Sequence, residues 1–331
     1  MKNLLLLVLS LSVVLFTACS SKRVYEPKDV KDDWEKYGSI DESIIDVTSN
    51  VALLEDRRVL LKDYSIKLTV DEGYRVLSSS DGWVISSTID GKLKLQQIDA
   101  DNIVENFELK KTIASASVDD DTLAVLFADN EMALYSIKSK ELLLKEQGGT
   151  TLAIDARIVS PHFLDTVVLF STLDGKVVIV NRENNKKLRS TIISSADNFN
   201  NVLYFNIIDR KVVAATAHKI LSMSQKEIRA KFEIRNVTYN GENIYLTTKH
   251  GEVVSLTSDL KENAKLKFPF AHFLGIIADE KNVYILEKEG YLIVAPTDLS
   301  SYDVYEADVD EGYVFVADKR FYINDEFISV E

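Results

Sequence analysis

The sequence predicts an all-β chain folded as a single β-propeller of four-stranded antiparallel blades. Three observations lead there. Paired runs of Val, Ile, Leu, Phe and Thr recur along almost the whole chain. Their spacing averages roughly 37 residues, within the range in which repeats mean stacked units. Their arms are apolar without clean alternation, as strands covered on both faces are. One hairpin cannot cover itself, so copies must shield one another, and blades packed face to face in a ring do that.

The clearest copy is residues 166–180, TVVLFSTLDGKVVIV, whose arms meet at Asp174-Gly175. Asp-Gly between such arms predicts a tight two-residue turn, because glycine takes positive φ without steric penalty. Residues 83–95 repeat the pattern with Asp90-Gly91, 123–135 with Asp129-Asn130, and 212–223 near Ala217-His218. Residues 244–256 use His250-Gly251 and 283–295 use Glu289-Gly290; 51–61 and 313–323 are weaker members. Eight hairpins imply eight blades. Seven is the alternative, if the first repeat contributes only closing strands. The terminal hairpins match least well, as end repeats do, and a ring of this kind is expected to have one blade completed from both chain ends.

At the N-terminus, Lys2 precedes an apolar stretch at 4–16 that is short for a spanning helix and ends in Thr17-Ala18-Cys19. Residues 1–18 therefore read as a signal peptide. Cys19 is the only cysteine, which fits lipidation better than a disulfide scaffold or a thiol enzyme. Residues 19–42 are polar and charged, with Pro27 and the run KDVKDDWEK, and read as a tether with room for one helical turn. Trp34 and Tyr37 either dock it on the domain or are incidental.

The propeller is expected over 43–331. Strands are expected at 43–48, 51–54, 59–61 and 65–70 in the first repeat. The second has 74–79, 83–88, 92–98 and 104–110, and the third 113–118, 123–127, 132–137 and 142–145. The fourth and fifth repeats are longer, with extra residues at 160–164 and 194–201, and the last strand lies at 327–330. Only four prolines occur, and helical periodicity is lacking after the signal.

With 46% hydrophobic residues in 331, the chain can bury a sizeable core. A net charge of −13 argues against a nucleic-acid backbone or an anionic membrane as main partner. Enzyme chemistry has little support. His162, His218, His250 and His272 are scattered over separate repeats, without HxxxH or HExxH spacing. No Gly-rich phosphate loop or nucleophile elbow occurs. Asp119-Asp120-Asp121 lacks the ligand spacing of a calcium loop and reads as a turn, and the acidic stretch 303–311 reads as a solvated loop. No catalytic residue, metal or cofactor is expected.

The chain resembles the BamB-type propeller lipoproteins of the outer-membrane β-barrel assembly machine, within the quinoprotein-like (PQQ-type) and WD40-like propellers. Thr17-Ala18-Cys19 carries the lipobox likeness, and 83–95, 165–180 and 241–256 carry the repeat likeness. Phe16 stands where the lipobox usually has Leu, and the Trp-bearing blade end is missing, since only Trp34 and Trp83 occur. The resemblance implies a diacylglycerol-modified Cys19, with Ser20 directing the protein to the periplasmic face of the outer membrane. It also implies a non-enzymatic scaffold, a monomer within a complex, docked on the barrel-insertase subunit. An accessory propeller of a periplasmic respiratory enzyme is the rival.

Candidate partner-binding residues are Phe268, Phe270 and Phe273 beside Pro269, with His162, Phe163 and Phe199 in the longer repeats. The opposing reading has Phe270 and Phe273 opening a buried inner strand. If Phe268 is exposed, Phe268→Asp leaves folding intact and weakens partner capture.

Overall fold

A computed structural model describes residues 23–331 apart from Asp101. The signal peptide and Cys19 lie outside the described residues. The strands form eight four-stranded antiparallel sheets. Blade 1 comprises Ile44–Val47, Val51–Leu54, Arg58–Leu61 and Ile66–Thr69. Blades 2 to 7 follow over 75–108, 113–147, 162–192, 204–231, 234–267 and 273–306, each with its strands in chain order. Blade 8 takes Val314–Val316, Arg320–Ile323 and Glu326–Ser329 from the end of the chain, and its outer strand, Tyr37–Ser39, from the beginning.

Ring closure is visible in the core. Eight clusters of buried side chains sit one at each blade-to-blade interface, from blades 1 and 2 (Leu53, Val59, Val76, Val84) round to blades 8 and 1 (Phe315, Tyr322, Ile44, Leu54). Second strands are buried on both faces, as in Val51–Leu54 and Ile244–Thr248, because a neighbouring blade covers each side. Outer strands are mostly exposed and rich in Lys, Arg and Glu, as in Lys186–Ile192, which discourages edge-to-edge pairing. First strands lie closest to the axis and bond across blades: Ser78 Oγ donates to Ala116 O and Ser117 Oγ to Pro161 O, both at 2.6 Å.

The Asp-Gly turns are one residue longer than the dipeptide predicts. Thr172 N donates to Lys176 O at 2.9 Å, so Leu173-Asp174-Gly175 form a three-residue loop with Gly175 at φ +80°. Thr172 causes the difference. Its hydroxyl accepts from Lys176 N (3.0 Å) and donates to Asp174 (2.6 Å), bracing the longer loop. Thr88 makes the same bracing contacts around Asp90-Gly91. At Gly251 the φ of +74° is compounded by crowding, because a Cβ there would run into the Phe268 carbonyl oxygen. Gly251→Ala should therefore cost about 2 kcal/mol or more, read as a lower urea midpoint with an unchanged slope.

Three other boundaries differ from expectation. The ring begins at Tyr37 rather than residue 43, because Tyr37–Ser39 pairs with Glu326–Ser329, whose edge would otherwise be bare. The tether before it forms no helical turn from residue 23 onward and follows the rim of blade 7: Lys31 N bonds Val304 O and Trp34 N bonds Glu306 O. Trp34 packs edge-on to Tyr284 and Tyr305 and donates Nε1–H to Ser329 O at 2.9 Å. Residues 162–164, expected in an insertion, are the inner strand His162–Leu164, and the long connection is 148–161. Finally, Asp303–Glu306 is the outer strand of blade 7, not a loop.

Candidate functional site

Antiparallel strands return at every turn, so each blade sends its loops to two opposite faces. One face, here the connection face, collects the turns between second and third strands and the links from blade to blade. Both long links lie on it. Residues 148–161 join blades 3 and 4, residues 193–203 join blades 4 and 5, and the two are stitched together. Phe199 N donates to Ala153 O (2.8 Å) and Asp155 N to Asn201 Oδ1 (2.7 Å). Buried Asn201 returns its amide to the Asp155 and Arg157 carbonyls at 3.1 and 2.9 Å.

The 148–161 link then crosses toward the ring axis. Arg157 grips the Asp155 carboxylate with two nitrogens (Nε to Oδ1 2.8 Å, Nη2 to Oδ2 2.6 Å) and donates its third to the carbonyl of Arg235, on the inner strand of blade 6. Burial pushes the Asp155 pKa up, but the Arg157 hydrogen bonds and charge outweigh it and hold the carboxyl below its usual range. Arg235 is held below its ordinary value by burial first and by the Arg157 charge second, and its Nη2 lies 3.4 Å from His272 Nδ1. A cationic cluster thus sits over the axis, clamped by one carboxylate. Below it, the His162 ring lies 5.2 Å from that of Phe205. His162 is solvent-accessible yet walled by protein, so burial lowers its pKa.

Apolar side chains projecting from this face include Ile89 (80% exposed), Leu152 (79%), Phe270 (55%) and Phe199 (48%). Ile89 and Phe270 stand on turns whose Gly91 and Phe270 itself have positive φ, which lifts the side chains off the surface. Such projecting apolar groups are what docking surfaces are built from.

The residues expected to bind a partner separate into two groups. Phe268 and Phe273 are core: Phe268 is 1% exposed and packs edge-on against Tyr25, Phe273 and Tyr302 at 5.9, 6.1 and 4.9 Å. Phe273 opens the inner strand of blade 7. The proline beside them marks a bend, and the chain dives back between blades 6 and 7 on either side of the exposed Pro269-Phe270 tip. Phe270 and Phe199 are exposed. Phe163 is half-buried beneath the Arg182 guanidinium (5.4 Å), and Arg182 also pairs with Asp119, the last residue of the first strand of blade 3, and with Asp120 in the turn that follows. His162 sits on the inner strand of blade 4 against Phe205 of blade 5 rather than at a loop tip. The structure therefore does not gather the six into one patch.

Leu152, Ile89 and the Asp155–Arg157–Arg235 bridge are additions. The excess length before blade 4 signals the first; nothing in the sequence pairs Arg157 with a carbonyl 78 residues away. Among the described residues, no group of three or more His, Cys, Asp or Glu is placed to hold a metal ion, and no helix is long and apolar enough to cross a membrane.

No family model matches the chain. It is 28% identical to the plasminogen-binding protein PgbB of Helicobacter pylori strains J99 and 26695, over 95% of its own length. The chain spans about two thirds of the length of these relatives (67% and 66%). Among solved structures it is similar to BamB from Moraxella catarrhalis, at a TM-score of 0.66 and 11% identity, covering 89% of this chain and 98% of that one. The C-terminal WD40 domain of Sif2 superposes at 0.65 with 13% identity over 92% and 99% of the two chains. The designed Ika8 protein does so at 0.63 with 13% identity over 90% and 99%. These likenesses establish the propeller fold.

Proposed function

We propose that this chain is a non-enzymatic, protein-binding propeller of the cell envelope. It is held by an acylated Cys19 at the periplasmic face of the outer membrane and serves β-barrel protein assembly there. The observation that carries the binding role is the connection face, where Leu152 and Phe199 project from two long links that hydrogen bonds hold rigid. A preorganised apolar surface loses little entropy on docking, so its burial converts into affinity. The BamB fold neighbour and the sequence relatives named for binding a protein support the scaffold role.

Mild crosslinking followed by pull-down of the tagged lipoprotein tests the assembly reading. Recovery of barrel-insertase components is expected; recovery of a respiratory reductase without them would remove it. Pairing Leu152→Asp with Phe199→Asp should leave the unfolding free energy within about 1 kcal/mol of wild type, as two exposed sites do. Capture should fall at least about tenfold, the loss of a modest hot spot. Unchanged capture would move the binding surface elsewhere.

A second reading, binding of plasminogen, is favoured by the 28% identity to PgbB. Direct titration of the purified protein with plasminogen distinguishes it, because the assembly reading expects no saturable binding.

A further inference from the structure

We propose that the rim of blades 6 and 7 around Arg23 and Phe270 lies against the lipid surface, so that Phe270 is a membrane contact and not a partner contact. This rests on the reading that Cys19 is lipidated. The tether expected from the sequence runs to residue 42, enough to let the ring tumble well clear of a bilayer. In the structure that freedom ends much earlier. Tyr25 is buried edge-on between Phe268 and Tyr291 (5.9 and 5.8 Å), and the chain then follows the rim until it closes blade 8. The Arg23 guanidinium rests over the Phe270 ring, 5.5 Å from its centre.

From Cys19 to Arg23 is four residues, a reach of at most about 14 Å when fully extended. A compact domain of this size is about 50 Å across. A lipid on Cys19 therefore draws one particular edge of the ring to the membrane and leaves the opposite face out of reach.

The side chains at that edge suit a bilayer surface. Phe270 and Pro269 are exposed, as are the cations Arg23, which stacks on Phe270, and Lys265 and Lys267 on the outer strand of blade 6; Glu26 is the exposed carboxylate of the same stretch of tether. Lys265 has a carboxylate partner, Glu252 at 3.6 Å, whereas Arg23 contacts an aromatic ring and Lys267 the His250 carbonyl. In a chain of net charge −13, Arg23 and Lys267, which have no carboxylate partner among the ion pairs of the described residues, flank an exposed aromatic group and are complementary to anionic phosphates over an apolar layer. The acyl chains supply the binding energy and the cations orient the ring. Leu152 and Phe199 stand on the links of blades 3 to 5, not on the edge where the tether docks.

The test uses the full-length lipoprotein in vesicles of phosphatidylethanolamine and phosphatidylglycerol. A single reactive thiol is introduced by Phe270→Cys or Arg23→Cys, or by Arg210→Cys in the exposed turn between the first two strands of blade 5, on the opposite face. Each is labelled with a fluorophore; the thioether at a lipidated Cys19 does not react. Acyl-brominated lipids are expected to quench positions 270 and 23 several-fold more strongly than 210. Equal quenching at all three, or stronger quenching at 210, in protein whose mass shows the lipid on Cys19, overturns the orientation alone. A mass without acyl groups overturns the anchoring reading, and the reach argument falls with it.

Discussion

Phe268→Asp should yield protein that fails to accumulate in soluble form. The ring it removes sits among Tyr25, Phe273 and Tyr302, and truncating a buried Phe costs about 3–5 kcal/mol. The carboxylate that replaces it would face aromatic carbon, and an unpaired buried charge adds several kcal/mol more. That sum reaches the whole stability of an ordinary domain, about 5–15 kcal/mol. Phe268→Leu, which keeps most of the volume, should stay soluble and lose about 1–2 kcal/mol in urea unfolding. A soluble Phe268→Asp protein with a wild-type midpoint would place the ring at the surface after all. This reverses the outcome expected for an exposed Phe268, and the reason is the register of one turn: Phe270, not Phe268, occupies the left-handed position (φ +67°) at its tip.

Removing residues 23–39 should have the second largest effect. Blade 8 would lose its outer strand, the core between blades 6 and 7 would lose Tyr25, and that between blades 7 and 8 would lose Trp34. The two aromatic side chains alone are worth about 5 kcal/mol by analogy with buried Trp and Phe truncations. For a domain of this size that lowers the melting temperature by about 10 °C or more. The outer strand of blade 7 and Glu326–Ser329 would both present bare edges, which invite pairing with another chain. Thermal unfolding together with sedimentation should show an early transition and oligomers. A monomer with unchanged melting would mean that the carboxy-terminal strands close the ring unaided.

Much of this fold was legible in the residues. Strand positions in the first three repeats agree with the structure to within about two residues, the usual boundary error. The agreement has a local cause. Each hairpin carries its own apolar arms and turn chemistry, and covered inner strands cannot be written with polar residues. Asp119-Asp120-Asp121 proved to be the end of a strand and a turn for the same reason, since Asp120 takes positive φ between two strands that pair across it.

The candidate site was legible only in part. Phe199 was found through the excess length of its repeat, and Phe270 through its aromatic company, but their neighbours Phe163 and Phe268 were not separable from them. Exposure depends on what lies across the gap. For Phe268 that is Tyr25, some 240 residues earlier, and for Tyr37–Ser39 it is a strand near the far end of the chain.

By itself, then, the sequence determined the repeating unit and its strand order and favoured eight copies over seven, because hydrogen-bond pairing and turn geometry act between residues a few positions apart. Closure of one blade from both chain ends was expected; tertiary structure alone decided that there are eight blades, that Tyr37–Ser39 is the closing strand, which phenylalanines face water, and that Arg157 spans from one link to the inner strand of blade 6. Those outcomes come from surfaces meeting only once the ring has closed, and no run of neighbouring residues encodes the partner across an interface.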